Sequence, residues 1–172
     1  LDTDCTGGGS QGDLARLMAA QHEAAHRSRV LILCTGNSAR SQMAEGWLRH
    51  LGDDTFEVAS AGTHPARQVN PLAVRAMAEV GVDIANHHPK NLAQFLTESW
   101  DYVITVCDRA NEECPFFPGG KTRLHWSFDD PAAVMGDEEN RFRAFRRVRD
   151  EIRERFRVLA EEIASAGGPA HA

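Results

Sequence analysis

The sequence predicts an α/β protein of three layers, in which helices flank an open, four-stranded parallel sheet and an extra helix precedes the sheet near the N-terminus. Two observations carry this prediction. Short β-rich runs alternate with helical patterns along the 172 residues, as they do in proteins built on parallel sheets. The run that opens the series, RVLILC at 29–34, is apolar after its arginine, which indicates a strand buried on both faces.

Four segments have the composition of strands. They are Arg29–Cys34, Phe56–Ala61, Tyr102–Cys107 and Lys121–Trp126. In open α/β sheets, ligands bind beyond the carboxyl ends of the strands. Two of these ends are cysteines, Cys34 and Cys107, and the site is expected beside them.

Helical patterns fill the remaining segments. Apolar residues four apart span 39–51, and Asn70-Pro71 fit the cap and first position of a helix that Gly81 ends. Towards the C-terminus apolar residues recur at steps of three or four, at Phe142, Phe145, Val148, Ile152, Phe156, Leu159 and Ile163. This spacing predicts a long helix with one face on the core, and Trp47 is assigned to the core as well.

The chain is predicted to divide into two regions. Residues 1–28 hold a glycine-rich lead and a stretch of helical spacing at 13–26, interpreted as a flexible lead and an accessory helix without chemistry. Residues 29–172 contain the strands and helices described above and form the main domain. Cys5 falls in the first region, and we expect no catalytic role for it.

Composition restricts the classes of function. With 42% hydrophobic and 26% charged residues the chain is globular, and a net charge of −6 disfavours nucleic acid or an anionic membrane as partner. Its apolar runs are shorter than the roughly 18 residues of a membrane span, and no secretion signal is recognised. We therefore expect a cytosolic protein, in which four cysteines indicate reactivity or metal binding rather than a disulfide scaffold.

The segment at 34–41 predicts an anion-binding loop that carries a nucleophile. It reads Cys34, Thr35, Gly36, Asn37, Ser38, Ala39, Arg40 and Ser41, at a strand-to-helix junction. Backbone N–H groups of such a turn grip a tetrahedral oxyanion, and Arg40 adds two forked donors. The same positive field is expected to lower the pKa of Cys34, with Ser41 donating its hydroxyl to the sulfur. The alternative is a buried structural thiol.

Asp129-Asp130-Pro131 follows the last predicted strand, in a loop that can cover the anion site. An oxygen that leaves an oxyanion needs a proton, and a carboxylic acid in a closed pocket supplies one. Asp130 is the candidate. The same residues fit a structural role equally well, in which Asp-Pro turns the chain and caps a helix.

Cys107 and Cys114 enclose the segment DRANEE. As a helix this segment separates them by roughly 10 Å, whereas a disulfide joins Cα atoms about 4.4 to 6.8 Å apart. A bridge therefore requires the segment to unwind, which suits a bond that is made and broken. Zinc held with His125, or with His87 and His88, is a weaker alternative because the spacing differs from structural zinc sites; two unconnected thiols are another.

Three segments together resemble the thioredoxin-coupled arsenate reductases built on the low-molecular-weight protein tyrosine phosphatase fold. They are CTGNSARS at 34–41, VITVCDRANEEC at 103–114 and HWSFDDPA at 125–132. The likeness runs from about Arg29 to the last helix. The first motif is shared with the phosphatases, while the second and third cysteines in this order are specific to the reductases.

The resemblance implies the roles of five residues. Cys34 is the nucleophile on arsenate, Arg40 the oxyanion clamp and Asp130 the general acid. Attack by Cys107 on the Cys34 sulfur releases arsenite, and attack by Cys114 moves the disulfide to Cys107–Cys114 for reduction by thioredoxin. This chemistry needs no cofactor. A mycothiol or glutaredoxin system in place of thioredoxin stays open.

One position departs from the family pattern. In some members potassium lies under the anion loop, held by positions that match Asn37, Glu45, Ser60 and a carboxylate that is Lys90 here. The Lys90 ammonium is expected where the ion would be. We therefore expect weak or no dependence on potassium.

Two other functions stay open. One is a low-molecular-weight tyrosine phosphatase; the two extra cysteines and Ala132, where those phosphatases commonly carry an aromatic residue, count against it. The other is a non-enzymatic protein that binds arsenite through its thiols. Such a protein would not need Arg40 or Asp130.

Overall fold

The computed structural model describes residues 27–114 and 116–166, so that the predicted accessory helix at 13–26 and Cys5 lie outside the described residues. One parallel sheet organises the fold, with strand order β2-β1-β3-β4. Its strands are β1 (Ser28–Cys34), β2 (Phe56–Gly62), β3 (Trp100–Thr105) and β4 (Gly120–His125). The predicted four-stranded parallel sheet is confirmed.

Four α-helices are found in the described part of the chain. They are α1 (Arg40–Gly52), α2 (Pro71–Glu79), α3 (Asp108–Glu113) and α4 (Glu138–Ala166). The side chain of Asn70 caps α2 by accepting from the N–H of Leu72, and Gly81 follows with a positive φ of 78°, as predicted. No helix among the described residues is both long and apolar enough to cross a membrane.

The predicted third strand extends too far, because β3 ends at Thr105 and not at Cys107. Cys107 is the extended N-cap residue of α3, with φ −144° and ψ 152°. The backbone continues beside β1 only as far as Val106, whose N–H donates to the carbonyl of Leu33 at 2.9 Å. The chain then turns directly into the helix that separates Cys107 from Cys114.

The two faces of the sheet support two separate cores. Val30 and Ile32 of β1 pack in the larger core with α1 and α4, which also contains Cys34 and Cys107. The alternate residues of β1 pack in the smaller core, whose buried members are Leu31, Leu33, Ala61, Trp100, Val103, Cys114 and Phe117. Since successive side chains of a strand point to opposite faces, Cys114 lies across the sheet from the larger core.

Helix α4 covers the larger core with the face predicted from its spacing. Phe145, Ile152 and Phe156 are completely buried. Trp47 of α1 is also buried, and its indole N–H donates to the carbonyl of Arg149 at 3.0 Å, which ties the two helices together. The assignment of Trp47 and the α4 face to the core is confirmed.

We expect replacement of Phe145 by Ala to lower the free energy of unfolding by about 3 to 5 kcal/mol, because it empties a fully buried position. Val158→Ala, at a position of the same helix that is 38% exposed, is the control and should change it by less than about 1 kcal/mol. Urea unfolding of both variants measures the difference. Equal losses for the two would show that α4 is not packed as described.

Candidate active site

The loop between β1 and α1 is shaped by hydrogen bonds to its carbonyl groups. The carbonyls of residues 34, 35, 36 and 38 accept from the N–H groups of residues 63, 64, 66 and 70, at 2.8 to 3.2 Å. In a trans peptide the N–H points away from the preceding carbonyl. The N–H groups of residues 35, 36, 37 and 39 therefore point into the loop, where together they form a cradle for an anion.

Hydrogen bonds of the Asn37 side chain stabilise the turn of this loop. It is fully buried and adopts the left-handed conformation, with φ 48°, which asparagine tolerates better than most residues. Its amide donates to the hydroxyls of Ser41 at 2.8 Å and Ser60 at 2.9 Å. Its carbonyl oxygen accepts from the N–H of Lys90 at 2.9 Å. The expected hydrogen bond from Ser41 to Cys34 is not found among the described residues, because Ser41 belongs to this network.

Gly62 allows β2 to approach the loop closely. A Cβ at this position would lie 2.5 Å from the carbonyl oxygen of Thr35, well inside van der Waals contact. In the sequence Gly62 directly follows the predicted strand Phe56–Ala61. Its requirement for glycine comes from a contact 27 residues away in sequence, which no local pattern shows.

Arg40 and Asp130 meet at the mouth of the loop. The Arg40 guanidinium donates to the carbonyl of Phe128 at 3.0 Å and lies 3.8 Å from Oδ2 of Asp130. The other carboxylate oxygen of Asp130 accepts from the N–H of Ala132 at 3.0 Å and caps the short turn Pro131–Ala133. Both interpretations of Asp130 thus describe the same side chain, which caps a turn with one oxygen and faces the anion clamp with the other.

A cavity of about 440 Å³ lies beside Arg40 and Asp130. Its lining residues are Thr35, Arg40, Cys107, Asp108, Arg109, Ser127, Phe128, Asp129 and Asp130. Sequence analysis missed Asp108, Arg109 and Ser127. The first two directly follow Cys107, so their position beside a predicted site residue was the available signal.

Cys34 and Cys107 lie close together, and each thiol changes the ionisation of the other. Both are buried, and the Thr35 hydroxyl lies 3.4 Å from the Cys107 sulfur. The hydrogen bond from Cys34, assisted by Thr35 and the N–H of Ala110, lowers the pKa of Cys107 to about 5. The same hydrogen bond, with burial, raises the pKa of Cys34 above that of a free thiol. The two pKa values thus move in opposite directions, and that of Cys34 is raised, not lowered as the sequence argument expects.

The pKa of Cys34 differs from the expected one because each sulfur has the other thiol as its neighbour. The positive charge of Arg40 favours the thiolate of either cysteine, as the sequence argument assumed. Two neighbouring thiols cannot both ionise easily, however. Cys107 lines the cavity and has the Thr35 hydroxyl beside its sulfur, whereas Cys34 does not line the cavity.

Cys114 lies at the far end of α3. Cys107 is the N-cap residue and Cys114 the C-cap residue of this helix, so the segment DRANEE is helical as considered in the sequence analysis. The Cys114 sulfur contacts the carbonyl of Phe116 at 3.6 Å and is buried in the smaller core. In this state the helix keeps the second and third thiols apart.

The described residues do not support the zinc alternative. His125 contacts Thr105 at 2.8 Å and Asp108 at 2.9 Å, and His87 contacts Gln42 at 3.1 Å. Nowhere in residues 27–114 and 116–166 do three side chains of the His, Cys, Asp and Glu types come together as ligands for a metal ion.

The residues under the anion loop do not fit potassium. The Lys90 ammonium lies 3.7 Å from Oε2 of Glu45 and donates to the carbonyl of His88 at 3.1 Å. Glu45 also accepts a short hydrogen bond from Ser60. The carboxylate of this network therefore already faces two cationic side chains, the Lys90 ammonium and, at 2.8 Å, the Arg49 guanidinium.

Comparisons with known proteins agree on the family. Residues 29–167 match the family model of low molecular weight phosphotyrosine protein phosphatases. An arsenate reductase of Halalkalibacterium halodurans is 49% identical over 133 residues, 77% of this chain and 94% of the relative. The structure of a thioredoxin-dependent arsenate reductase of Corynebacterium glutamicum matches with a TM-score of 0.64 at 30% identity, over 89% of this chain and 70% of that one. An arsenate reductase in the phosphate binding state matches with a TM-score of 0.68 at 31% identity, over 79% and 98%.

The charge on the thiol pair gives a prediction for pH. Because the pKa of Cys107 is about 5, the reduced protein should carry one thiolate above that pH and lose it as the pH falls through about 5. Ultraviolet absorbance of the thiolate measures the midpoint. In Cys34→Ala, which lacks the hydrogen-bond donor, the midpoint should move up towards the ordinary thiol value of about 8.5. An unchanged midpoint in that variant would contradict the shared hydrogen bond.

The lysine under the loop gives a prediction for ions. Since the Lys90 ammonium already faces Glu45, thermal melts in potassium and in sodium chloride should give the same midpoint. Lys90→Asp, which replaces the cation by a carboxylate, should be stabilised by potassium more than by sodium. Clear stabilisation of the unmodified protein by potassium over sodium would overturn the assignment.

Proposed function

The chain belongs to the low molecular weight phosphotyrosine protein phosphatase family, and from this premise we propose that it is an arsenate reductase that detoxifies arsenate by reducing it to arsenite. The family likeness noted in the sequence is confirmed. The observation that carries the proposal is that an anion cradle begins at Cys34, with Cys107 close by and Cys114 at the other end of α3. A relative named arsenate reductase that is 49% identical supports it.

The first step is attack on arsenic. The N–H groups of the loop and the Arg40 guanidinium hold the oxyanion over Cys34. The Cys34 sulfur forms a bond to arsenic, while its proton passes to the hydrogen-bonded Cys107 sulfur. One arsenate oxygen leaves as water with a proton from Asp130, which lies 3.8 Å from Arg40.

The second step transfers two electrons. Cys107 gives its proton to the Asp130 carboxylate and attacks the Cys34 sulfur, and the electron pair of the sulfur–arsenic bond moves to arsenic. Arsenic is reduced from the pentavalent to the trivalent state and leaves as arsenite, while the two thiols are oxidised to one disulfide. In total, two thiols and arsenate give a disulfide, arsenite and water.

The third step restores the anion site. Cys114 attacks the Cys107 sulfur and releases Cys34 as a thiol, so that the bridge now joins Cys107 and Cys114. Thioredoxin is the proposed reductant of this bridge, on the support of the thioredoxin-dependent relative of Corynebacterium glutamicum. The cytosol, where thioredoxin keeps thiols reduced, is the proposed compartment.

A phosphatase function is not favoured. Hydrolysis of a phosphoester needs only Cys34, Arg40 and Asp130, with water completing the second step. It gives no use to Cys107 as hydrogen-bond partner of the nucleophile, nor to Cys114. An arsenite-binding protein would, in turn, leave Arg40 and the anion cradle without a function.

Cys107→Ser tests the relay. Arsenate-dependent consumption of reducing equivalents from thioredoxin and its reductase should fall to background in this variant, because no disulfide can form with Cys34. Slow hydrolysis of an aryl phosphate, which uses the anion cradle with Cys34, Arg40 and Asp130, should remain.

Cys5→Ser is the matched control, since Cys5 has no proposed role, and it should keep both activities. Turnover of arsenate that survives Cys107→Ser would refute the relay. Function that survives Arg40→Lys without loss would favour the arsenite-binding alternative.

A further inference from the structure

Helix α3 must open for the proposed relay to proceed, and this inference rests on that proposed function. Cys107 and Cys114 are the two caps of the helix, and Cys114 is held in the smaller core. The Cys114 sulfur reaches Cys107 only when the six residues between them unwind. Interactions of α3 with the sheet therefore set how readily the third step occurs.

Side-chain contacts at its start, middle and end hold α3 in place. At its start Asp108 pairs with His125 at 2.9 Å, and near its end Glu113 pairs with His64 at 3.3 Å. In the middle Asn111 accepts from the guanidinium of Arg123 at 3.0 Å. The first two lie at the surface, where such pairs contribute little to stability.

Arg123 differs from the other two anchors because it is partly buried beneath the helix. It is paired in register with Val103, so its side chain leaves the sheet on the face that carries Cys114 and Phe117. One terminal nitrogen of its guanidinium bonds Asn111, and the other is buried without a hydrogen-bond partner among the described residues.

A buried donor without an acceptor is unfavourable, and more so when it belongs to a charged group. This energetic penalty is present while α3 is helical. Once the helix unwinds, water can reach the guanidinium and the penalty is removed. Arg123 therefore has two opposite effects: its bond to Asn111 holds the helix, while its second nitrogen favours opening.

We propose that Arg123 is a positioning residue of the relay, which keeps α3 close to its opening point so that Cys114 can attack. After opening, the Cys114 thiolate forms a bond to the Cys107 sulfur, the Cys34–Cys107 bond breaks, and Cys34 takes the electron pair. No further oxidant or reductant is needed for this exchange.

Two variants separate the opposite effects. Asn111→Ser removes the bond and leaves Arg123 buried, with a residue of similar helix propensity; α3 should open more readily. Arg123→Met removes the bond to Asn111 together with the buried charge, and keeps a long apolar side chain. Because an unpartnered buried charged donor costs more than one hydrogen bond contributes, α3 should open less readily. Arg143→Met, at a surface position that is 70% exposed, is the control for loss of an arginine.

Two measurements apply to each variant. Amide hydrogen exchange of residues 108–113 in the reduced protein reports opening without any turnover. Formation of the Cys107–Cys114 disulfide after one equivalent of arsenate, followed by peptide mapping, reports the third step. We expect Asn111→Ser to raise both rates and Arg123→Met to lower both, each by roughly fivefold or more, with no change in aryl phosphate hydrolysis.

The outcomes distinguish this inference from the proposed function. If both variants accelerate exchange, Arg123 only supports the helix and the inference is wrong, and the same holds if neither changes it. If Arg123→Met folds poorly, as thermal melts would show, Arg123→Leu provides the same test. Absence of the Cys107–Cys114 disulfide in the unmodified protein would refute the relay, whatever the exchange rates of the variants.

Discussion

The closeness of the Cys34 and Cys107 thiols is the constraint on which the site depends. It exists because β1 and β3 are parallel neighbours, with Leu33 paired to Thr105 in register, so that both chains leave the sheet at the same edge. Antiparallel neighbours would place the two cysteines at opposite edges. The contact also decides the ionisation of both thiols, since the proton shared between them lowers one pKa and raises the other. Sheet topology therefore determines the charge state of the nucleophile.

The anion cradle depends on segments that are distant in sequence. Its carbonyls are held by residues 63–70, and its turn residue Asn37 is held by Ser60 and by the backbone of Lys90. With these acceptors satisfied from outside, the loop keeps its N–H groups oriented inward before any ligand arrives. Such preorganisation reduces the reorganisation required when an oxyanion binds.

Much of this could be predicted from the sequence, because the strands, the long helix and the residues 34–41 have local patterns. The helical and apolar periodicities gave the sheet and the buried face of α4 correctly. What failed depends on contacts between distant segments. The Ser41 hydroxyl accepts from Asn37, which is itself held by Ser60, 19 residues after Ser41. The pKa of Cys34 is raised because a partner thiol and burial act on it, and neither is visible in an eight-residue motif. The sequence pattern placed the end of β3 two residues too late, at Cys107. The backbone of a residue that caps a helix can be as extended as that of a strand, and Cys107 is such a cap.

Placing the third thiol across the sheet separates the steps of the relay in time. Cys34 and Cys107 contact the larger core, while Cys114 is enclosed by the smaller one. If Cys114 were free to reach Cys107 in the reduced protein, any oxidant could join them and remove the thiol that must attack the arsenic adduct. Burial of Cys114 prevents this, because its sulfur is protected from reaction until α3 opens. The stability of one six-residue helix thus controls the order of events: it must be high enough to keep Cys107 available, and low enough to open after arsenite has left.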